Sequence, residues 1–141
     1  MANKKLLSCS IDELKEKITR FYFSVGGFLG GYDSIKILKD DTQIKYICNR
    51  EEKYFTEETW QEFLDRIFNE NILKWKREYN NNDILDGTQW RLELEFKDLP
   101  KFKCYGSNEF PSNWKNILTI INEYFPQMEL KNYYDIDDDE E

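Results

Sequence analysis

The chain has 141 residues, 40% of them hydrophobic and 16% aromatic, and it carries a formal net charge of −8. This length and apolar content predict one domain with a single core, and no apolar run reaches the roughly 18 residues that a membrane span requires. The chain contains no histidine, which is the commonest general base near neutral pH and the commonest zinc ligand, so most hydrolase and metalloenzyme designs are excluded.

A short helix and a long strand are predicted first. Ser10 stands three residues before Glu13, the spacing of a reciprocal N-terminal cap, which predicts a helix from about Ile11. Strand-forming residues take over at position 18. Their side chains are expected to alternate strictly between the two faces of the strand. One face would carry Thr19, Phe21, Phe23 and Val25, and the other would carry Ile18, Arg20, Tyr22 and Ser24.

A glycine-rich segment, GGFLGG, ends this strand. It favours a hairpin, because strand-like segments lie on both sides of it, and the alternative is a flexible lid over a ligand. Two further strands are predicted after it, joined by a tight polar turn at Asp40 and Asp41. The glycines that would take part in binding are Gly26, Gly27, Gly30 and Gly31.

An amphipathic helix is predicted after Thr56, which can cap its first turn. Its apolar residues recur at spacings of three and four, the pattern of one buried stripe. The stripe consists of Trp60, Phe63, Leu64, Ile67 and Phe68. A second, shorter helical piece or a strand is expected between this helix and the polar run at 80–83.

The clearest strand pattern follows Asp86 and Gly87. Trp90, Leu92, Leu94 and Phe96 alternate with Arg91, Glu93, Glu95 and Lys97, which predicts a strand with one solvated face. A further strand pairs back on it with Phe102 and Cys104 inward, and a second amphipathic helix runs from Trp114 to Pro126. The sequence therefore predicts an α+β domain in the order βββαββα, in which an antiparallel sheet of about five strands carries two helices on one face.

The segment CYGSNEFPSNW, residues 104–114, joins the last strand to the last helix. Gly106 is expected to supply a turn conformation and Ser112 to cap the helix. Both an ordinary corner and a recognition loop stay open for this segment. In the recognition loop, four side chains would cluster at the helix N-terminus, where backbone donors and the helix dipole receive a carboxylate or phosphate: Tyr105, Ser107, Asn108 and Phe110.

Neither the cysteines nor the carboxylates form a recognisable reactive set. Cys9, Cys48 and Cys104 lack metal-like spacing, and the last two lie in strand patterns typical of buried, inert thiols. Alternating carboxylates such as Glu93 and Glu95 belong to the solvated face of a strand rather than to a glycosidase pair. No catalytic residue, metal or cofactor is predicted.

The acidic residues concentrate at the C-terminus. Residues 135–141 include six acids and no base, which leaves residues 1–134 with a net charge of −2. We therefore predict a single domain at 1–134, followed by a disordered acidic tail at 135–141. If the tail docks on a partner, that partner is basic and is contacted by Asp137, Asp138 and Asp139.

Two motifs resemble a loosely defined group of small bacterial and phage proteins. In that group a DGxxWxL strand leads into YGSNx(Y/F)Pxx(W/F), and the segment GGFLGGYDSI is similar to an upstream companion of both. The matching residues are Asp86, Gly87, Trp90 and Leu92, then Tyr105 to Asn108, Phe110, Pro111 and Trp114. The resemblance implies a shared fold and a bacterial or phage source, and it suggests immunity or counter-defence functions.

These features favour a non-enzymatic, cytoplasmic protein of bacterial or phage origin that inhibits another macromolecule stoichiometrically, as immunity and anti-defence proteins do. The expected partner is a basic nucleic-acid-binding enzyme, such as a nuclease or CRISPR effector, at which the tail and Glu93 or Glu95 would compete with phosphates. Direct nucleic-acid binding and membrane association are not expected. The alternative is a small-ligand protein that binds a nucleotide signal between the glycine-rich segment and the YGSN loop.

Overall fold

The computed structural model describes residues 2–27, 31–81, 87–128 and 130–133. These residues form an α+β domain, which confirms the predicted class. The prediction of about five antiparallel strands is wrong, because one sheet holds seven strands and its last pair is parallel.

The elements of the described chain have the following bounds: α1 Ala2–Leu7, α2 Ile11–Lys17, β1 Ile18–Gly27, β2 Gly31–Lys39, β3 Ile44–Cys48, β4 Glu51–Phe55, α3 Glu57–Phe68, β5 Glu78–Asn80, β6 Thr88–Phe96, β7 Phe102–Ser107 and α4 Trp114–Tyr124. Short 3₁₀ turns lie at Ile72–Lys74, Pro126–Met128 and Leu130–Tyr133. Across the sheet the strands stand in the order β4-β3-β2-β1-β6-β7-β5.

Both strands that the sequence patterns did not resolve lie at the edges of the sheet. β4 returns antiparallel to β3 through Asn49 and Arg50, whose φ angles of 48° and 79° form the left-handed two-residue turn that suits a twisted hairpin. β5 has only three residues and pairs parallel with β7. Residues 69–81 therefore hold a 3₁₀ turn followed by a strand, and no second α-helix forms among these described residues.

The predicted caps hold for two helices and fail for the third. Ser10 Oγ accepts a hydrogen bond from Glu13 N, and Thr56 Oγ1 accepts one from Thr59 N, each at 3.1 Å. Ser112 does not cap α4, because the helix begins at Trp114 and Asn113 occupies the cap position. The Asn113 side chain instead accepts a hydrogen bond from Trp75 Nε1 at 2.8 Å and donates one to the Glu70 carbonyl at 2.7 Å.

One face of the sheet packs against both long helices, as predicted. Phe21 meets Phe63 of α3 with ring centroids 5.2 Å apart, and Phe23 meets Trp114 of α4 at 5.8 Å. All four of these side chains are almost completely buried. Because one core joins the sheet to α3 and α4, the opposite face of the sheet is the one on which side chains reach solvent.

A bulge corrects the predicted alternation at the start of β1. The register with β6 shifts between Ile18 and Arg20, so Ile18 turns into the core and Thr19 is exposed. The Thr19 hydroxyl donates to the Glu95 carbonyl at 3.3 Å. An inserted residue reverses which side chains face inward on one side of it, and the alternation holds from Arg20 onward.

In the part of the chain that the structure describes, every helix is too short or too polar to cross a membrane.

Candidate functional surface on the open face of the sheet

The face of the sheet opposite α3 and α4 is here called the open face. The strand register places its residues in four rows, which are Tyr32-Gly26-Gln89-Ser107-Asn80, Ser34-Ser24-Arg91-Tyr105-Glu78, Glu52-Ile47-Lys36-Tyr22-Glu93-Lys103 and Tyr54-Lys45-Leu38-Arg20-Glu95. Three of its tyrosines are strongly exposed, with Tyr32 at 59%, Tyr54 at 56% and Tyr105 at 40%. Tyrosine and arginine are the residue types that recur as anchors of protein interfaces.

An ion-pair cluster holds the centre of the open face together. Arg20 Nη1 lies 3.0 Å from Glu93 Oε1 and 3.4 Å from Glu95 Oε2, and Arg91 Nη1 lies 3.3 Å from the other oxygen of Glu93. The Arg20 guanidinium also sits 5.2 Å from the centroid of the Tyr22 ring. Glu93 and Glu95 are therefore already paired with cations of this chain.

The ion pairs with Arg20 and Arg91 change the pKa of Glu93. Burial alone would raise the pKa of its carboxyl, but hydrogen bonding and attraction from Arg20, and then from Arg91, hold the pKa below its ordinary value. A carboxyl in this state is charged at neutral pH. It is poorly suited to act as a general acid or base, whose pKa has to lie near the working pH.

We expect Glu93→Gln to lower the free energy of unfolding by about 1–2 kcal/mol at pH 7, because the substitution removes a charge-assisted hydrogen bond. Since the folded-state pKa is lowered, this contribution is present above the ordinary glutamate pKa and is lost as pH falls through the folded value. The gap between the two proteins should narrow as the pH is lowered below the ordinary glutamate pKa, as measured by urea unfolding at pH 7 and at a series of acidic pH values. A gap that stays constant with pH would contradict the assigned role of the Glu93 charge.

The glycine-rich segment is a hairpin at one end of the sheet. β1 and β2 pair antiparallel up to Gly27 and Gly31, which confirms the predicted hairpin. A Cβ on Gly26 would lie 2.3 Å from the Gly31 carbonyl oxygen and 2.7 Å from the Tyr32 ring, so the ring covers a position where no side chain fits. Gly30 lies outside the described residues.

The YGSN segment lies beside this hairpin. Its residues border β6, whose first residues also pair with the end of β1. Asn108 N donates to the Thr88 carbonyl and Asn108 Oδ1 accepts from Thr88 N, both at 2.9 Å. A Cβ on Gly87 would fall 1.7 Å from that Oδ1 atom. Gly87 of the first motif and Asn108 of the second are therefore in close contact, and position 87 has no room for a side chain.

Gly106 does not supply the expected turn conformation. It lies within β7, and a Cβ there would fall 2.0 Å from Trp90 Nε1, the atom that donates to the Glu109 carbonyl at 2.9 Å. The left-handed residue is Asn108, with φ of 61°. Glycine is therefore required at position 106 because the indole ring of Trp90 lies so close to it. Most of the segment 104–114 has a structural role in connecting β7 to α4.

The structure divides the four predicted binding residues of this segment between two faces. Tyr105 stands on the open face opposite Arg91, and Ser107 Oγ accepts from Gln89 Nε2 at 2.8 Å on the same face. Phe110 lies on the helix side, where its ring packs 4.9 Å from Trp114. These residues do not converge on the N-terminus of α4. The predicted contacts Asp137, Asp138 and Asp139 lie outside the described residues, as does Asp86.

The buried thiols have the inert surroundings that the sequence predicted. Cys48 and Cys104 are fully buried, and burial raises the pKa of Cys48 to about 11 and that of Cys104 further. Cys9 is half-buried at the end of α1. Thiols with raised pKa values are weak nucleophiles at neutral pH.

We therefore expect one thiol per chain to react quickly with an aromatic disulfide reagent at pH 7 and all three to react in denaturant. Substituting Cys9→Ser should abolish the fast reaction and leave the slow one unchanged. The measurement is the absorbance of the released thiolate against time. Fast release from the Cys9→Ser protein would show that Cys48 or Cys104 is accessible in the fold.

The clefts of the described chain are open grooves. The groove beside the start of α4 has a volume of about 450 Å³, and its lining residues Glu70, Trp75 and Asn113 already hydrogen-bond one another. A second groove of about 200 Å³ lies between α1, α2 and the end of α3 and is lined mainly by leucines. Within the described ranges no group of three or more acidic or cysteine residues is placed to hold a metal ion.

Comparisons of the chain with protein families, with curated proteins and with solved structures each found no match. The resemblance to small bacterial and phage proteins therefore stays a prediction. The functional argument has to rest on the open face itself. Sequence reasoning did not single out Tyr22, Lys36 or Lys45, because only the register of β1, β2 and β3 shows that they lie side by side on one surface.

Proposed function

We propose that the protein is a non-enzymatic binding protein that acts stoichiometrically on another protein through the open face. The observation that carries this proposal is the exposure of Tyr32, Tyr105 and Arg91 on the uncovered side of a rigid sheet. Exposed tyrosine and arginine side chains provide large contact area at modest entropic cost. The absence of a poised general base among the described residues supports a binding role over catalysis.

A protein partner fits this surface better than a nucleic acid does. The cations at its centre are already shared with Glu93 and Glu95, and these carboxylates would repel phosphates. The chain as a whole carries a charge of −8, which adds to that repulsion. The narrower version, an immunity or anti-defence inhibitor of bacterial or phage origin, is a proposal that rests on the motif resemblance.

The test is partner capture with variants of the open face. The purified chain would be immobilised, and partners from the cells that carry the gene would be identified and then purified for affinity measurements. We expect Tyr105→Ala and Arg91→Glu each to weaken binding at least tenfold, because each removes an exposed anchor. Charge reversal on the opposite side of the molecule, Lys115→Glu on α4, is the matched control and should change the affinity less than twofold. Equal effects of all three substitutions, or none, would contradict the proposal.

A second function is favoured by one observation, the meeting of the glycine-rich hairpin and the YGSN segment at the same end of the sheet. Gly26, Gln89 and Ser107 share one row of the open face there. Nucleotide signals bind where backbone amides and small polar side chains face a shared space. A rise in melting temperature with cyclic or ADP-ribose-type nucleotides, lost in Ser107→Ala, would support this alternative over the first.

A further inference from the structure

Three lysines on the open face lack the acidic partners that their neighbours have. Arg20, Arg91 and Lys101 pair with Glu93 or Glu95, whereas Lys36, Lys45 and Lys103 make no ion pair with any described residue. Lys103 is exposed on β7, and Lys36 and Lys45 are half-buried on the neighbouring strands β2 and β3. Lys36 and Lys45 are therefore a close pair of cations that a partner can neutralise.

The register fixes the surroundings of the two lysines. Lys36 stands opposite Ile47 and Lys45 stands opposite Leu38. Charged and apolar residues therefore alternate on β2 and β3, and each pair of like residues lies on a diagonal. Diagonal neighbours of this kind lie about 7–8 Å apart. The half-buried side chains of Leu38 and Ile47 add apolar surface between the two charges.

A tyrosine lies on each side of this group of four residues. Tyr22 is the neighbour of Lys36 on β1, and Tyr54 is the neighbour of Lys45 on β4. The nearest acid by register, Glu52, accepts a hydrogen bond from the Tyr54 hydroxyl at 3.1 Å. The patch is thus amphipathic, with cations and apolar groups inside and aromatic rings at its border.

We infer that this patch, which deepens the proposed function and rests on it, binds an acidic extended segment of a partner protein. Alternate residues of an extended chain point the same way and lie about 6.6–6.8 Å apart, which is close to the diagonal spacing of the lysines. Two carboxylates at alternate positions would meet Lys36 and Lys45. Leu38 and Ile47 lie on either side of the line that joins the two lysines, where the methylene groups of the bound carboxylate side chains would contact them.

A nucleic acid fits this patch less well than such a segment. Phosphate binding needs several unshared cations, and the neighbouring strand β6 places the carboxylate of Glu93 beside Tyr22 in the same row. Half-buried leucine and isoleucine side chains offer nothing to a phosphate backbone, whereas they complement an apolar side chain of a peptide. Binding of a nucleic acid is therefore an outcome that the experiment has to distinguish.

The probe is a fluorescent peptide that contains Glu-Ser-Glu-Ser-Leu, and its control carries glutamine in place of both glutamates. We expect the acidic peptide to bind at low salt, to weaken as salt rises, and to shift the backbone amide resonances of β2 and β3. The double substitution Lys36→Glu with Lys45→Glu should weaken binding at least tenfold. Lys115→Glu should leave it within twofold.

Three results would overturn the inference: equal binding of the glutamine peptide, unchanged binding by the double variant, or tighter binding of single-stranded oligonucleotides that the same variant abolishes. Binding of the captured partner protein to the open-face variants shows whether only this inference fails or the proposed function fails as well. If the acidic peptide fails while Arg91→Glu still releases the captured protein, only the acidic segment is wrong. If Arg91→Glu and Tyr105→Ala retain that protein, the proposed function falls as well.

Discussion

Gly106→Ala is expected to lower the free energy of unfolding by about 3 kcal/mol, because overpacking and a lost hydrogen bond act together. The added Cβ would lie 2.0 Å from Trp90 Nε1 and 2.7 Å from the Glu109 carbonyl oxygen. These two atoms form a hydrogen bond at 2.9 Å across the glycine. The indole cannot move aside easily, since its ring packs against Trp114 and Trp75 at 5.1 Å and 5.6 Å.

The matched control is Gly27→Ala, at the end of β1. A Cβ there would have its nearest neighbour at 3.7 Å, an ordinary van der Waals contact. We expect a change within about 0.5 kcal/mol for this variant. Urea unfolding followed by tryptophan fluorescence would measure both variants. Equal stability of the two would show that the approach of Trp90 does not require glycine at position 106.

The elements that the sequence predicted well are those whose pattern is local. Residues three and four apart form the buried stripes of α3 and α4, and alternate residues from Trp90 to Phe96 form the buried face of β6. Periodicity of this kind is contained in a short window of sequence. The caps at Ser10 and Thr56 were predictable for the same reason.

The elements that were missed depend on how strands pair, which no repeating pattern within one segment shows. β4 is polar at Glu51, Glu52 and Lys53, and its pairing with β3 comes from the turn between them. The three residues of β5 are held by β7, more than twenty positions away. The bulge at Thr19 likewise appears only in the register of β1 with β6. Sequence periodicity carries no information about such partners.

The candidate surface was partly predictable. Glu93 and Glu95 were expected on the solvated face of their strand, but their pairing with Arg20 requires β1 and β6 to be neighbours. The roles of Gly106 and Asn108 were exchanged, since the sequence shows a glycine in a turn-rich segment and does not show the indole beside it. The buried core and the proposed binding surface consequently lie on opposite faces of one sheet.

Phe63→Ala is expected to lower the free energy of unfolding by about 4 kcal/mol, the usual cost of removing a buried phenylalanine ring. Phe63 is fully buried in α3, and its ring lies 5.2 Å from both Phe21 of the sheet and Tyr124 of α4. The ring therefore joins the sheet to both helices. A cavity at this position removes contacts from all three elements, and the helix prevents its collapse.

The matched comparison for Phe63→Ala is the loss of stability in Tyr105→Ala, which removes an aromatic ring from the open face. Tyr105 is 40% exposed on the open face, so its removal should change stability by no more than about 0.5 kcal/mol. Urea unfolding of the two variants under one set of conditions measures the difference. A large loss of stability in Tyr105→Ala would mean that the open face also maintains the fold, and its binding defect would then no longer identify an interface. A small loss in Phe63→Ala would contradict the assignment of the core to the helix side.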